Sequence, residues 1–259
     1  MLKIINDRYV GGTPFINLIE VSGFKGAIHG MRNPLNSWRL NDSEETDFGF
    51  VLGENDMKLA KNLIKGGSEH RKFLRMIHVQ FDLNLPRYVW SEFDTYKIGT
   101  VANSCSTMHK LLNKDDEKEW EETELDKLLA TRGDLSKENF WYAQEDEEVI
   151  TTIIKNLNQI KDEFLNTKDI EEKRHLKRRA KQILPECYLQ MRTIDTNYEQ
   201  LMNLVRQRRQ HQLNLEWGMI CDFVESLPYM AMFMGLTDMT FNELRIRIGL
   251  KPIKELKEE

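Results

Sequence analysis

Cysteine is scarce in this chain. Three occur in 259 residues, Cys105, Cys187 and Cys221, far apart and without C-x-x-C spacing. An odd, sparse set argues against a disulfide framework and against a structural zinc site. Neither sign of charge dominates: 37 Lys and Arg face 42 Asp and Glu, a net of −5. That balance gives no general field for nucleic acid or an anionic membrane. Any anion site must be a local concentration of positive groups. Long apolar runs are also missing. The longest, "LPYMAMFMGL", is too short to span a bilayer and carries Pro228 near its start. The opening "MLKIINDRYVGG" puts Asp7 and Arg8 where a signal peptide needs apolar residues. A soluble, cytoplasmic protein without nucleic-acid or membrane partners is expected. No Walker A or G-x-G-x-x-G pattern occurs. No His-x-x-His spacing points to a metal, and His70 and His78 read as turn and strand residues. Cys105 lies between Ser104 and Ser106 with no partner base in sequence, so it reads as a plain small residue.

What is present suits a globular chain. Hydrophobic residues make up 40% and charged residues 31%, enough apolar content for a real core. With no repeats and no low-complexity linker, residues 1–259 read as a single domain. "FINLIEVSGF" fits a strand or a short helix. Asp42 and Glu45 have capping-box spacing and suggest a helix start. Met57, Leu59, Ala60 and Leu63 have helical spacing, stopped by Gly66 and Gly67. Residues 76–85 alternate strictly: Ile77, Val79, Phe81, Leu83 and Leu85 against His78, Gln80, Asp82 and Asn84. That predicts an antiparallel strand with one buried and one wet face, ended by Pro86. "RYVWSEFDTYKIG" then reads as a helix. Residues 113–148 are acidic and poor in aliphatics, an expected surface elaboration. Ile150, Ile153, Ile154, Leu157 and Phe164 make a helical stripe. "IEEKRHLKRRAKQIL" forms a further helix, basic but flanked by acid, read as a solvated helix whose end delivers Lys181.

The stretch "LVRQRRQHQLNLEW" (204–217) raises the functional question. Around it the pattern predicts one long helix over roughly 197–227. Tyr198, Leu201, Met202 and Val205 form an apolar stripe; continued by threes and fours it meets Arg208, Arg209, Gln212 and Glu216, then Ile220, Phe223, Val224 and Leu227. A stripe that is core at both ends turns charged in the middle. A buried guanidinium without a partner is costly, so an anionic or strongly hydrogen-bonding ligand is one reading. Arg suits it, because its fork donates two parallel bonds. A solvated or interface face is the other.

The stretch "RAKQILPECYLQMRTIDTNYEQLMNLVRQRRQHQLNLEWGMICDFVESLP" resembles the C-terminal signature of the flavin-dependent thymidylate synthases, the ThyX family. Lys181 falls on that family's nucleotide-phosphate arginine and Leu184-Pro185 on its Leu-Pro. Asn197 and Asn203 fall on two flavin-contacting asparagines, Arg208 on the arginine that contacts uracil, and Glu216 on the helix glutamate, with Asn214 in place of a glutamine. "GGSEHRKFLRMIHVQFDLNLPRYVWSEFDTYKIGTVANSCSTMHK" resembles the N-terminal half more loosely. There Thr95-Tyr96-Lys97 replaces Arg-His-Arg, and Asn103, Ser104, Ser106 and Met108 stand for the rest of that motif. Glu92 replaces a nucleotide-touching glutamine.

The resemblance implies an α+β fold, an antiparallel sheet flanked by helices with a long C-terminal helix. It implies a homotetramer whose sites lie where subunits meet. The implied activity is reductive methylation of dUMP to dTMP, with methylenetetrahydrofolate as carbon donor and NADPH reducing FAD. It assigns Arg208 the catalytic role of stabilising charge on the uracil. Glu92, Thr95, Ser104, Ser106 and Lys181 join it around the nucleotide. Arg71, Thr95, Tyr96, Lys97, Asn103, Asn197 and Asn203 are assigned to the flavin. Arg71, Lys72 and Arg75 are the basic groups able to replace the two missing motif arginines. A second reading keeps the fold as a nucleotide-binding or assembly protein without flavin chemistry. A third changes the reaction to hydroxymethylation of a pyrimidine nucleotide.

Overall fold

The computed structural model describes residues 1–47, 49–107, 111–112 and 134–236. In chain order the strands are β1 (Leu2–Lys3), β2 (Tyr9–Gly11), β3 (Phe15–Ser22), β4 (Glu44–Thr46), β5 (Gly49–Val51), β6 (His78–Pro86), β7 (Val101–Ser104), β8 (Trp141–Ala143) and β9 (Leu189–Asn197). The α-helices are α1 (Phe24–Met31), α2 (Glu54–Lys65), α3 (Arg87–Phe93), α4 (Glu147–Asn166), α5 (Ile170–Ile183), α6 (Tyr198–Arg208), α7 (Asn214–Ser226) and α8 (Met230–Phe233). Five strands form one sheet in the order β1-β3-β6-β9-β7, and β2 with β8 and β4 with β5 form two-stranded ribbons. The fold is therefore α+β, as expected. Of the two readings of "FINLIEVSGF" the strand holds: β3 takes Phe15–Ser22, and α1 starts only at the last residue, Phe24. No helix among the described residues is long and apolar enough to cross a membrane.

The chain divides into two compact units. The first comprises 1–17, 82–95 and 102–193. Its core gathers the α4 stripe Ile150, Leu157, Ile160 and Phe164 with Leu176 and Ala180 of α5 and the rings of Phe140, Tyr142 and Tyr188. The i, i+7, i+10, i+14 spacing on α4 puts those side chains on one face, as the pattern predicted. Asp169 starts α5 by accepting the Glu171 N–H at 2.9 Å. The acidic elaboration needs correction over 134–148. Phe140, Trp141 and Tyr142 are buried, and β8 pairs antiparallel with β2. Its aromatics outweigh its acidic residues, because they supply area to the core. Residues 113–133 lie outside the described residues.

Among the described residues, the second unit comprises 18–81, 96–101 and 194–236. The Asp42/Glu45 helix start is corrected here: Glu45 lies in β4. Asp42 instead accepts the N–H groups of Asn55 at 2.9 Å and Asp56 at 3.1 Å, capping α2 from a distant point in the chain. Asp56 is fully buried and accepts from Arg32 Nε at 2.6 Å. Tyr198 is buried at the start of α6 and donates its hydroxyl to the Pro228 carbonyl at 2.8 Å.

Two further expectations change. The polar side of β6 is wet only at its start: His78 is exposed, whereas Asp82 and Asn84 are buried. Asp82 meets the resulting demand by accepting from Thr193 Oγ1 at 2.7 Å. The single long C-terminal helix is two helices, with a turn over 209–213. That stretch has no apolar residue before Leu213 to hold a fourth turn against a core. Arg209 reaches α7, where it bonds Asp222 at 2.7 Å and Glu225 at 3.1 Å. The His211 N–H donates to the Arg208 carbonyl at 3.0 Å and the Leu213 N–H to His211 Nδ1 at 3.2 Å, so the turn satisfies its own backbone.

Candidate functional site

In the second unit, α6 and its cap carry three of the predicted residues, Asn197, Asn203 and Arg208. Asn197 is its N-cap. The Asn197 Oδ1 accepts from the Gln200 N–H at 3.1 Å, and Nδ2 donates to the Gly99 carbonyl at 3.4 Å. Gly99 has φ +68°, and a Cβ there would fall 2.8 Å from Asn197 Nδ2. Only glycine lets the 96–101 segment approach the helix start this closely. Asn197 is 6% exposed. The resemblance assigned it to the flavin; the structure gives its amide this capping role.

Glu199 and Asn203 follow at i+2 and i+6 from the cap, four residues apart and thus on one helix face. Arg71 donates Nε to Glu199 at 3.0 Å and Nη2 to Asn203 Oδ1 at 3.1 Å. Arg75 donates to the other Glu199 oxygen. Burial alone would raise the Glu199 pKa, but the hydrogen bonds from Arg75 and Arg71 hold it below its usual range.

Arg208 stands at the end of α6. Its guanidinium lies 4.7 Å above the ring of Trp217 and 5.7 Å from that of Tyr96. Its Nε donates to the Tyr96 hydroxyl at 3.0 Å, and that hydroxyl donates to Gln207 Oε1 at 2.9 Å. Trp217 is completely buried, on the first turns of α7. A buried ring beneath a guanidinium contributes about 0.5–2 kcal/mol. The side chain is half-buried, neither sealed in the core nor extended into solvent. Its neighbour Arg209 differs: two carboxylates raise its pKa despite the burial that opposes charge. So the two stripe arginines separate, one held by rings and one neutralised. Lys97 is exposed and has no side-chain partner among the described residues.

The first unit holds the rest. Glu92 is half-buried on α3, and its carbonyl accepts the Thr95 hydroxyl at 2.7 Å. Asn103 and Ser104 are exposed on β7, and Ser106 is half-buried beyond it. Lys181, at the end of α5, donates to Thr107 Oγ1. Burial first, and then the Arg87 cation, lower its pKa. Arg87 itself donates to the Leu184 carbonyl at 3.3 Å and pairs with Glu186 at 3.2 Å. The first unit thus brings Lys181 beside Thr107, with the Ser106–Thr107 step adjacent, and the second brings Arg208 to Tyr96 and Arg71 to Asn203. Met108 lies outside the described residues.

Sequence reasoning missed Trp217, Glu199 and Gln207. Trp217 sits directly after Glu216, and an aromatic nine residues past Arg208 was a usable signal. The role of Glu199 was not, because its partners Arg71 and Arg75 are more than a hundred positions away. No group of three or more His, Cys, Asp or Glu side chains among the described residues has the geometry to hold a metal ion.

The fold is that of the flavin-dependent thymidylate synthases. Two crystal structures of ThyX from Helicobacter pylori, both with FAD and dUMP, share it. The first has a TM-score of 0.57 and 17% sequence identity, covering 85% of this chain and 96% of that one. The second has a TM-score of 0.56 and 18% identity over the same shares. At the level of sequence alone, no family model and no curated protein matches.

Proposed function

We propose that the protein is a divergent flavin-dependent thymidylate synthase that methylates dUMP reductively. One observation carries the reading: Arg208 lies over the Trp217 ring with its Nε bonded to the Tyr96 hydroxyl. A guanidinium fixed before substrate arrives is suited to a uracil carbonyl and to negative charge that grows on the ring, since no reorganisation is needed when the charge appears. Tyr96 occupies the middle of the eroded Thr95-Tyr96-Lys97 segment, so the segment keeps a positioning task where it has lost cations. In the first unit, Lys181 is the proposed phosphate ligand, with Ser106 beside it. An anion there would offset the burial that depresses the Lys181 pKa.

FAD, with NADPH as reductant and methylenetetrahydrofolate as carbon donor, supplies the hydride chemistry in this reading. The chain's own residues fit an anionic cofactor on one count. Arg71 spends Nε and Nη2 on Glu199 and Asn203, which leaves its Nη1 open to solvent or a ligand. Lys97 adds one exposed cation. Assembly as a homotetramer belongs to the same proposal.

A second reading, nucleotide binding without flavin chemistry, draws on Asn197 and Asn203. Both amides already have internal partners, in the α6 cap and on Arg71. Product analysis separates the two. Purified protein given dUMP, methylenetetrahydrofolate, FAD and NADPH is expected to form dTMP. Arg208→Ala is expected to lower turnover about 100-fold or more, the usual scale for losing one charge-stabilising donor, with a stability loss of about 0.5–2 kcal/mol from the ring contact. Nucleotide binding without any methylated product sinks the enzymatic reading. A hydroxymethylated product replaces it with the third.

A further inference from the structure

The face of α6 that carries Glu199 and Asn203 continues, three residues on, to Arg206, one helical turn past Asn203. Arg206 is exposed and has no hydrogen-bond or ion-pair partner among the described residues. Arg71 and Arg75 reach the same face from the turn at 71–76. Arg71 and Arg75 thus share one carboxylate, Glu199 spending both oxygens on them, while Arg206, about two helical turns past Glu199, has none. The neighbouring Glu69 and Lys72 pair with each other at 3.6 Å. Burial first, and then the Arg71 cation, lower the Arg206 pKa, so Arg71 is close enough to oppose its charge. A protein keeps such an excess of positive charge at a cost in stability unless an anion arrives.

We infer that Arg71, Arg75 and Arg206 form a diphosphate-binding cradle, with Glu199 and Asn203 holding Arg71 in place for it. Two features choose a diphosphate over a single carboxylate. The excess is two charges, three guanidiniums less one carboxylate. The Arg71 anchor at Asn203 and the Arg206 position are about 4.5 Å apart along the helix, at ~1.5 Å per residue, which suits two adjoining phosphoryl groups. Guanidinium forks donate paired bonds to phosphoryl oxygens, so Nη1 of Arg71 and the unpaired nitrogens of Arg206 supply what the 95–97 segment no longer does. This rests on the reading above when the diphosphate belongs to FAD. A free nucleoside diphosphate presents the same chemistry.

Calorimetric titration of the full chain with FAD, FMN, ADP, AMP and inorganic pyrophosphate tests it, with Arg206→Gln and Arg71→Lys as variants. Arg206 has no internal partner to lose, so its replacement is expected to leave the melting temperature unchanged. Expected are affinities for FAD over FMN, and ADP over AMP, of about tenfold or more, the scale of one charge-assisted bond. Arg206→Gln and Arg71→Lys each remove about that preference, and rising salt weakens diphosphate binding more than monophosphate binding. Binding of ADP and pyrophosphate through Arg206 without FAD binding supports the cradle and removes the flavin reading. Formation of dTMP with diphosphate affinity untouched by both variants overturns the cradle and leaves that reading standing. Equal affinity for FMN and FAD, together with equal affinity for AMP and ADP, also overturns the cradle.

Discussion

Arg208 and Lys97 carry the same charge, and the family resemblance places both near the nucleotide and its cofactor, yet their surroundings differ in kind. Arg208 closes a helix and lies on a buried tryptophan ring, with a tyrosine hydroxyl on its Nε. Lys97 is exposed in a loop and has no side-chain partner among the described residues. The difference shows where orientation comes from. A guanidinium is aimed only when neighbouring atoms forbid its other rotamers, and a packed helix pair supplies such neighbours. The 95–97 segment contributes Tyr96, whose hydroxyl ties it to Gln207 and Arg208. That hydroxyl meets a cation on another element.

Four substitutions sharpen that contrast. The largest effect is expected for Trp217→Ala, which removes a fully buried indole and costs about 3–5 kcal/mol. Chemical denaturation measures it, and a loss under 1 kcal/mol contradicts the packing described for α7. Glu199→Gln comes next. It leaves Arg71 and Arg75 without their carboxylate, at a cost of about 3 kcal/mol. The pH dependence has a definite sign. Glu199 is held below its ordinary value of 4.5, so its contribution is complete above that value and is lost as pH falls through the depressed one. The wild-type denaturation midpoint should therefore drop on acidification below about pH 4.5 more steeply than that of the variant; parallel curves contradict the ion pairs.

Tyr96→Phe removes one hydroxyl and leaves the ring. Turnover on dUMP is expected to fall about tenfold, with a stability loss near 1 kcal/mol. Unchanged turnover removes Tyr96 as the group that positions Arg208. Lys97→Ala has the smallest effect, within about 0.5 kcal/mol in stability, because nothing in the structure leans on it. A cost like that of Trp217→Ala erases the contrast.

Much of the fold was legible because periodicity survives burial. The alternation through β6, the stripe on α4 and the basic run of α5 all form where their spacing places them. Departures arise where a distant partner overrides a local signal. Asp42 has capping-box spacing with Glu45 but caps α2 instead. Asp82 and Asn84 alternate as wet residues and are buried. The long helix breaks where its stripe turns charged, because Arg209 gains two carboxylates by folding back along α7. At the candidate site the same rule holds. Arg208 was visible as a charge in an apolar seam, whereas the Glu199 pairing with Arg71 and Arg75 depends on chain closure that no local window contains.

The most direct measurement is calorimetric titration of dUMP into the wild-type protein and into Arg208→Ala. A specific Arg208–uracil contact predicts saturable binding to the wild type and an affinity lower by about tenfold or more in the variant, at a temperature where both are folded. Equal affinities in the two folded proteins contradict it.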